Sequence, residues 1–196
     1  VERFDYRDTA DADDGVDIGD ARARNLIGQA IVHDDPSGRM ELRRMNFTGQ
    51  MQHETRRLAR HSTGRVIDWQ GDDAARLSNL EAETFTRLTE HDALGRMTRL
   101  VNWHRSPERV AIYQPHYNAR GVLESEDLSI GARWNGGAPT GGKTWSAVHG
   151  ITYNAKGQRT RLRQGERTEM TETTETTETT ETRTWTETLY AYDPRT

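Results

Sequence analysis

The sequence predicts a mainly β protein: consecutive antiparallel hairpins, with at most one short helix near residues 73–81. Three observations carry this expectation. A turn motif returns along the chain, the stretches between its copies read as strands, and little of the chain is apolar. The fullest copy of the motif is His91-Asp92-Ala93-Leu94-Gly95-Arg96. Asp92 suits the first position of a type I turn, where its carboxylate accepts from a backbone N–H two residues on. Gly95 suits the left-handed position that closes such a turn in a hairpin, so positive φ is expected there and at Gly121 and Gly157. Tyr117-Asn118-Ala119-Arg120-Gly121 and Tyr153-Asn154-Ala155-Lys156-Gly157 repeat the pattern. Asp34-Asp35-Pro36-Ser37-Gly38-Arg39 reads as a degenerate copy, with Asp35, Gly38 and Arg39 in the motif's places. Tyr192 and Asp193 begin a last one. Copies returning at irregular intervals mark a repeat architecture rather than one isolated hairpin.

Composition narrows the function classes. Hydrophobic residues are 32% of the 196, lean for a self-contained globule, so the sheet is expected to complete its core with neighbouring chain. The net charge of −4 gives no reason to expect nucleic acid or an anionic membrane as partner. No apolar run reaches the roughly 18 residues that a membrane helix needs. Without cysteine, disulfides and thiolate-bound zinc are excluded. The start at Val1 and the end inside a turn motif read as cuts in a longer protein.

Along the chain, residues 8–20 form an acidic loop. Asp11 to Asp17 invites a calcium reading, but with Gly15 at the sixth EF-hand position the first and third fall on Ala10 and Ala12, so the register fails. Leu26 to Val32 and Met40 to Phe47 read as strands, and Thr48-Gly49-Gln50 as a further turn. The basic run Arg56, Arg57, Arg60, His61 and Arg65 lacks interleaved aromatics for base stacking, so it reads as a solvated strand face or linker. Asp72 or Asp73 can cap a short helix before the strand at 83–89. Strands are expected at 110–115, 122–130, 147–152 and 159–163, with a Gly-rich loop at 131–143. Thr-Glu-Thr then repeats over 171–182. A period of three puts acids on every face, so an exposed loop or a two-sided polar ribbon is expected.

Chemistry-bearing motifs are few. Gly137-Ala138-Pro139-Thr140-Gly141-Gly142-Lys143-Thr144 fits the phosphate-cradling P-loop pattern. That chemistry needs a helix beginning near Lys143, and the β-branched, aromatic stretch that follows does not supply one. The seven histidines show no metal-binding spacing, and no nucleophile elbow occurs. Neither a cofactor, a metal site nor a catalytic residue is expected. Asp35-Pro36 reads as a hairpin turn rather than a cleavage site. A rival class is a β-rich surface or carbohydrate-binding module, which would gather Trp103, Trp134, Trp145 and Tyr113 in one exposed groove. A P-loop nucleotide-binding protein is the minor alternative.

The Tyr-Asp-x-x-Gly-Arg turns, with Thr, Arg and Leu alternating between them, resemble the YD repeats of RHS proteins. Arg24 to Gln29, Arg57 to Arg60, Asp68-Trp69, Leu80 to Thr86 and Tyr153 to Arg159 are similar to bacterial insecticidal toxin complexes. The likeness is to the RHS-bearing part of their B component, or of a fused B–C chain. It implies an RHS-type spiral β-sheet shell that encloses the toxic C-terminal region of the C component. It also implies an exported protein, secreted or at the cell surface, whose partners are the rest of the shell and the enclosed toxin. The segment itself would be non-catalytic wall. Residues 1–165 would be repeat hairpins, 166–186 a low-complexity Thr/Glu insertion, and 187–196 the truncated start of the next repeat. This sequence departs from the pattern at His91, where Tyr is usual, at Asn118 and Asn154 in place of Asp, and at Val122 in place of Arg.

Overall fold

The computed structural model describes residues 2–8, 18–60, 66–136, 140–172 and 179–192. The chain divides into two compact units, Val1–Pro107 and Glu108–Thr196. Each is an antiparallel sheet in which strands lie beside their neighbours in sequence. The mainly β expectation therefore holds.

The first unit holds β1 (Arg3–Tyr6), α1 (Ile18–Ala23), β2 (Ala30–Asp35), β3 (Gly38–Met45), β4 (Met51–Leu58), α2 (Asp73–Ser78), β5 (Phe85–His91) and β6 (Met97–His104). Helix α2 falls inside the expected span. Asp72 caps it, accepting from Ala75 N–H at 2.8 Å, which satisfies one of the amides a helix start leaves open. Helix α1 was not expected. Its end explains why: Asn25, with φ of 56°, takes the left-handed position that glycine usually marks. Asn25 N–H donates to Arg22 C=O and Leu26 N–H to Ala21 C=O, both at 3.0 Å, the double bond of a Schellman cap. Ala21 is then packed with Leu26 and Met45. Residues 18–20, expected in the acidic loop, belong to this helix. The stretch Asp11 to Asp17 lies outside the described residues, as do His61 and Arg65 of the basic run.

The long connection from β4 to β5 is held where it passes the sheet. Arg57 donates twice to Glu81 C=O, at 2.9 and 2.8 Å, Ala59 bridges Leu80, and Trp69 and Leu80 are buried.

The second unit holds β7 (Val110–Tyr117), β8 (Leu123–Ala132), β9 (Lys143–Tyr153), β10 (Arg159–Glu172) and β11 (Thr179–Leu189). Its buried side chains oppose one another across the ladders. Val110 faces Ala132, Ile112 faces Ser129, and Ile151 faces Leu162. Alternate residues along a strand share a face, so this stripe buries one side of the sheet. The loop expected at 131–143 is shorter in the structure. Gly131 and Ala132 end β8, Lys143 begins β9, and Arg133 and Thr140 exchange backbone bonds at 2.9 and 3.1 Å. The P-loop alternative is overturned here, because a strand rather than a helix starts at Lys143; residues 137–139 of that motif lie outside the described ones. Strand β10 pairs with β9 only from Arg159 to Gln164. From Arg167 to Glu172 its partner is β11, so part of the Thr-Glu tract is a two-stranded ribbon. Residues 173–178 lie outside the described residues.

Candidate functional site

The motif turns are the feature that the rest of each sheet is arranged around. Loops 46–50, 92–96, 118–122 and 154–158 each join two antiparallel strands. In all four the first residue donates its N–H to the fifth residue's C=O, and the glycine donates to the first residue's C=O. For 92–96 these bonds are Asp92 to Arg96 at 2.9 Å and Gly95 to Asp92 at 3.0 Å. The first side chain then accepts from the loop's own amides. Asp92 Oδ1 takes Leu94 N–H and Arg96 N–H, both at 2.9 Å. Asn118 Oδ1 takes Arg120 N–H at 2.9 Å, and Asn154 Oδ1 takes Gln158 N–H at 2.9 Å. The polar groups a tight loop exposes are satisfied within the loop itself. Gly95, Gly121 and Gly157 have φ of 78°, 77° and 81°, the left-handed backbone read from the sequence.

The structure adds a rule about the first and fifth residues. Asp92 is paired with Arg96, whose Nε donates to Oδ2 at 2.7 Å. Asn154 Nδ2 donates to Gln158 Oε1 at 2.7 Å, and Asn46 Nδ2 to Gln50 Oε1 at 2.8 Å. An amide pair therefore replaces the acid–guanidinium pair, which accounts for Asn154 where the repeat pattern has Asp. Val122 has no such group to offer Asn118. The Asp92 carboxyl is held below the usual carboxylate range, first by the Arg96 guanidinium and then by the Arg96 amide. A depressed folded pKa means this stabilisation is present above the unfolded pKa and is lost as pH falls through the folded one. Arg96→Gln alone is expected to lower the melting temperature. Asp92→Asn with Arg96→Gln rebuilds the amide pair, and should recover most of the loss while removing the acid dependence. Thermal melts at neutral and acidic pH check both; a double variant no better than the single one would sink the pairing rule.

In an up-and-down sheet, alternate connections share an end. Within the first unit, loops 46–50 and 92–96 do so, and Gln50 Nε2 donates to Gly95 C=O at 2.6 Å. In the second unit loops 118–122 and 154–158 share an end, and the Arg120 guanidinium donates to Asn154 C=O at 3.1 Å and Ala155 C=O at 3.3 Å. Each unit thus has a row of matching turns clipped to one another. Tyr153, the first residue of its motif copy and the last of β9, donates to Leu123 C=O at 2.7 Å. Tyr117 ends β7, opposite Leu123. Tyr192 is exposed, and Asp193 lies outside the described residues.

One expected copy is corrected, and one that was read only as a turn joins the row. Asp35, Gly38 and Arg39 do not form a motif turn. β2 and β3 join through Pro36-Ser37 alone, at the opposite sheet end, with Ser37 N–H donating to Asp35 Oδ1 at 2.7 Å. Arg39 is interior, 3% exposed, and its Nε and Nη2 grip the carboxylate of Asp34 at 2.7 and 3.1 Å. The readable signal was the loop length. A two-residue loop opposes Asp34 to Arg39, and opposite charges there attract across the ladder. Glu54 and Arg87 form a second such pair, with Arg87 Nε donating to Glu54 Oε2 at 2.7 Å. The copy that takes this place in the row is Asn46 to Gln50.

Among the described residues, clefts lie beside this framework in both units. In the first unit a cleft of about 540 Å³ lies between Tyr6, Arg7, Ala21, Leu26, Arg39 and Asp73, among others. In the second, a notch of about 200 Å³ is floored by Gly150. The aromatic residues of the rival module line neither. Trp134 is buried, Trp103 lies under Arg87 and Trp145 under Lys143, and Tyr113 donates to Glu126 at 2.6 Å, its pKa raised by burial and then by that bond. Among the described residues, no three His, Asp or Glu side chains come together to hold a metal ion, and no helix is long and apolar enough to cross a membrane.

No protein-family model matches the sequence, and no curated protein matches it. Solved structures do. The structure of TcdB2-TccC3 aligns with 99% of this chain, with a TM-score of 0.67 and 21% identity. TcdB2-TccC3-Cdc42 aligns with 91% of it, at 0.66 and 22%. So does the Photorhabdus luminescens Tc holotoxin pore carrying TccC3-D651A, at 0.66 and 22%. The chain spans 7% to 9% of the length of these solved chains. In its fold, this chain resembles a segment of the RHS-bearing B–C part of bacterial toxin complexes, the same likeness that its turn motifs carry.

Proposed function

We propose that this segment is non-catalytic wall of a toxin-encapsulating RHS shell in an exported bacterial toxin complex. Its partners are the rest of the shell, from the B and C components, and the toxin region enclosed by it. The observation that carries the reading is the fold likeness to TcdB2-TccC3 along nearly the whole chain. The physics of the sheets supports it. A wall satisfies its backbone through strand pairing and needs no thick apolar core on either face. Here buried positions are shared between small apolar stripes and ion pairs such as Asp34–Arg39 and Glu54–Arg87. Residues 1–165 then serve as repeat hairpins, 166–186 as an insertion tolerated by the wall, and 187–196 as the start of the next repeat.

Limited proteolysis of the full-length protein, read by mass spectrometry, tests this. Cuts are expected first within 166–186, with the rest of the wall staying assembled. The C-terminal region should resist protease until the protein is denatured. A C-terminal region cut as fast in native protein as in urea would overturn the enclosing role.

A further inference from the structure

The notch in the second unit is built from three strands. Gly150 of β9 lies opposite Arg163 of β10, and Thr152 opposite Arg161. Arg163 lies in turn opposite Glu187 of β11. A side chain at Gly150 would meet no heavy atom within 4 Å of its Cβ, and Gly150 lies outside the positive-φ region. No backbone demand for glycine is visible there; what the residue leaves is room. Trp185 walls the space, half-exposed, with the His149 ring 5.4 Å away and the Arg163 guanidinium 5.6 Å from its own ring.

Among the described residues, the charges lining the notch do not cancel. Arg161 and Arg163 share one carboxylate, Glu187 Oε1, at 3.4 and 2.8 Å, and each reaches it through Nε. Both forks thus meet Glu187 through Nε, which turns their terminal nitrogens to other partners, in the planar geometry that grips carboxylates. The Arg163 hydrogen bond, followed by the nearby charge of Arg161, holds the Glu187 carboxyl below its usual range. In a chain of net charge −4, the described lining of this concave, aromatic-walled spot sets two guanidinium groups against one carboxylate.

We propose that the Gly150 notch docks an acidic side chain presented by a polypeptide segment crossing the β9–β11 face. Size supports a side chain over a cofactor, since small-molecule pockets run from about 300 Å³ upward and the notch is about 200 Å³. Charge complementarity selects the carboxylate, and the Trp185 ring accepts the aliphatic stem beside it. The inference does not depend on the shell reading. It requires only this face and an acidic segment, whether from the same assembly or another protein.

The test uses the full chain and a fluorescein-labelled hexapeptide containing one Glu, with its Gln twin, read by fluorescence anisotropy. The Glu peptide should bind at least about tenfold more tightly than the twin, the scale of losing a charge-assisted bond. Arg163→Gln should weaken binding by a similar factor. Gly150→Val fills the notch with a strand-favouring residue, so it should abolish binding with an unchanged or higher melting temperature. Equal binding of the two peptides, or undiminished binding to Gly150→Val, would overturn the proposal. So would no binding at millimolar peptide, or displacement by inorganic phosphate or glucose as effective as by unlabelled peptide.

Discussion

Gly38→Ala is expected to destabilise the first unit by about 3 kcal/mol or more, the upper end for point substitutions, because backbone strain and overpacking fall on one site. Gly38 has φ of 138°, which side-chain-bearing residues rarely adopt. Its missing Cβ is also where the next strand runs. A Cβ there would strike Arg57 C=O and lie 2.9 Å from both Ala59 N and Leu58 Cα. These are atoms of β4 and its continuation, paired to Gly38 in the ladder, so they cannot swing aside as a flexible side chain would. Gly157→Ala is the control. Gly157 has φ of 81° and no heavy atom within 4 Å of where a Cβ would lie, so its cost is conformational alone, about 1 kcal/mol. Urea denaturation of both variants separates the two causes. Equal losses would mean that strand β4 yields, and that the close approach is not what selects glycine at 38.

Arg39→Ala is expected to cost about 3–5 kcal/mol, as for other buried pairs that lose one partner. The Asp34 side chain is 0% exposed. Without Arg39 its carboxylate keeps one guanidinium contact, from Arg3 at 3.2 Å. Arg39 also reaches out to Asp73 at 3.1 Å, at the start of α2, so its loss removes that tie between helix and sheet. Asp34→Leu with Arg39→Met removes both charges and fills the space, and should cost far less than Arg39→Ala alone, because the desolvation of both ions is removed with their attraction. A double-mutant cycle by urea denaturation reads this directly. If Arg39→Ala costs less than about 1 kcal/mol, water reaches Asp34 and the pair is not interior in solution.

These two residues also show where reading the sequence succeeds and fails. Gly95, Gly121 and Gly157 were legible because a left-handed turn leaves a local mark: an Asx residue, two spacers and glycine. Helix α2 was legible through its Asp cap. Gly38 carries the same letters for a different cause, a neighbouring strand that lies far off in sequence. Asp34-Asp35-Pro36-Ser37-Gly38-Arg39 therefore passed as a turn copy, while its Arg39 was buried. The turn at Asn46 escaped recognition as a copy because Phe47 and Thr48 disguise its spacers and Met45 stands where the others have Tyr or His. Helix α1 escaped because Asn25 does the work of a terminal glycine. Nothing local marks the Gly150 notch: His149, Arg163 and Trp185 sit on three strands, and only strand register brings them together.

The neighbour-to-neighbour order of the strands has a kinetic consequence. Within each unit every strand joins a partner made just before it, so loop closures are short and relative contact order is low for an all-β chain. Folding speed rises as contact order falls. Each five-residue turn can nucleate its own hairpin on the microsecond scale of isolated hairpins. The exceptions are the junction of β1 with β2, separated by residues 7–29, and that of β4 with β5, separated by residues 59–84. Closing those spans carries the largest entropic penalties in the first unit. The unit should therefore assemble from two preformed pieces, β2–β4 and β5–β6, whose docking, with the addition of β1, limits the rate. During synthesis each hairpin can zip onto the growing edge as it leaves the ribosome, which keeps the time that any strand edge spends exposed to other chains short.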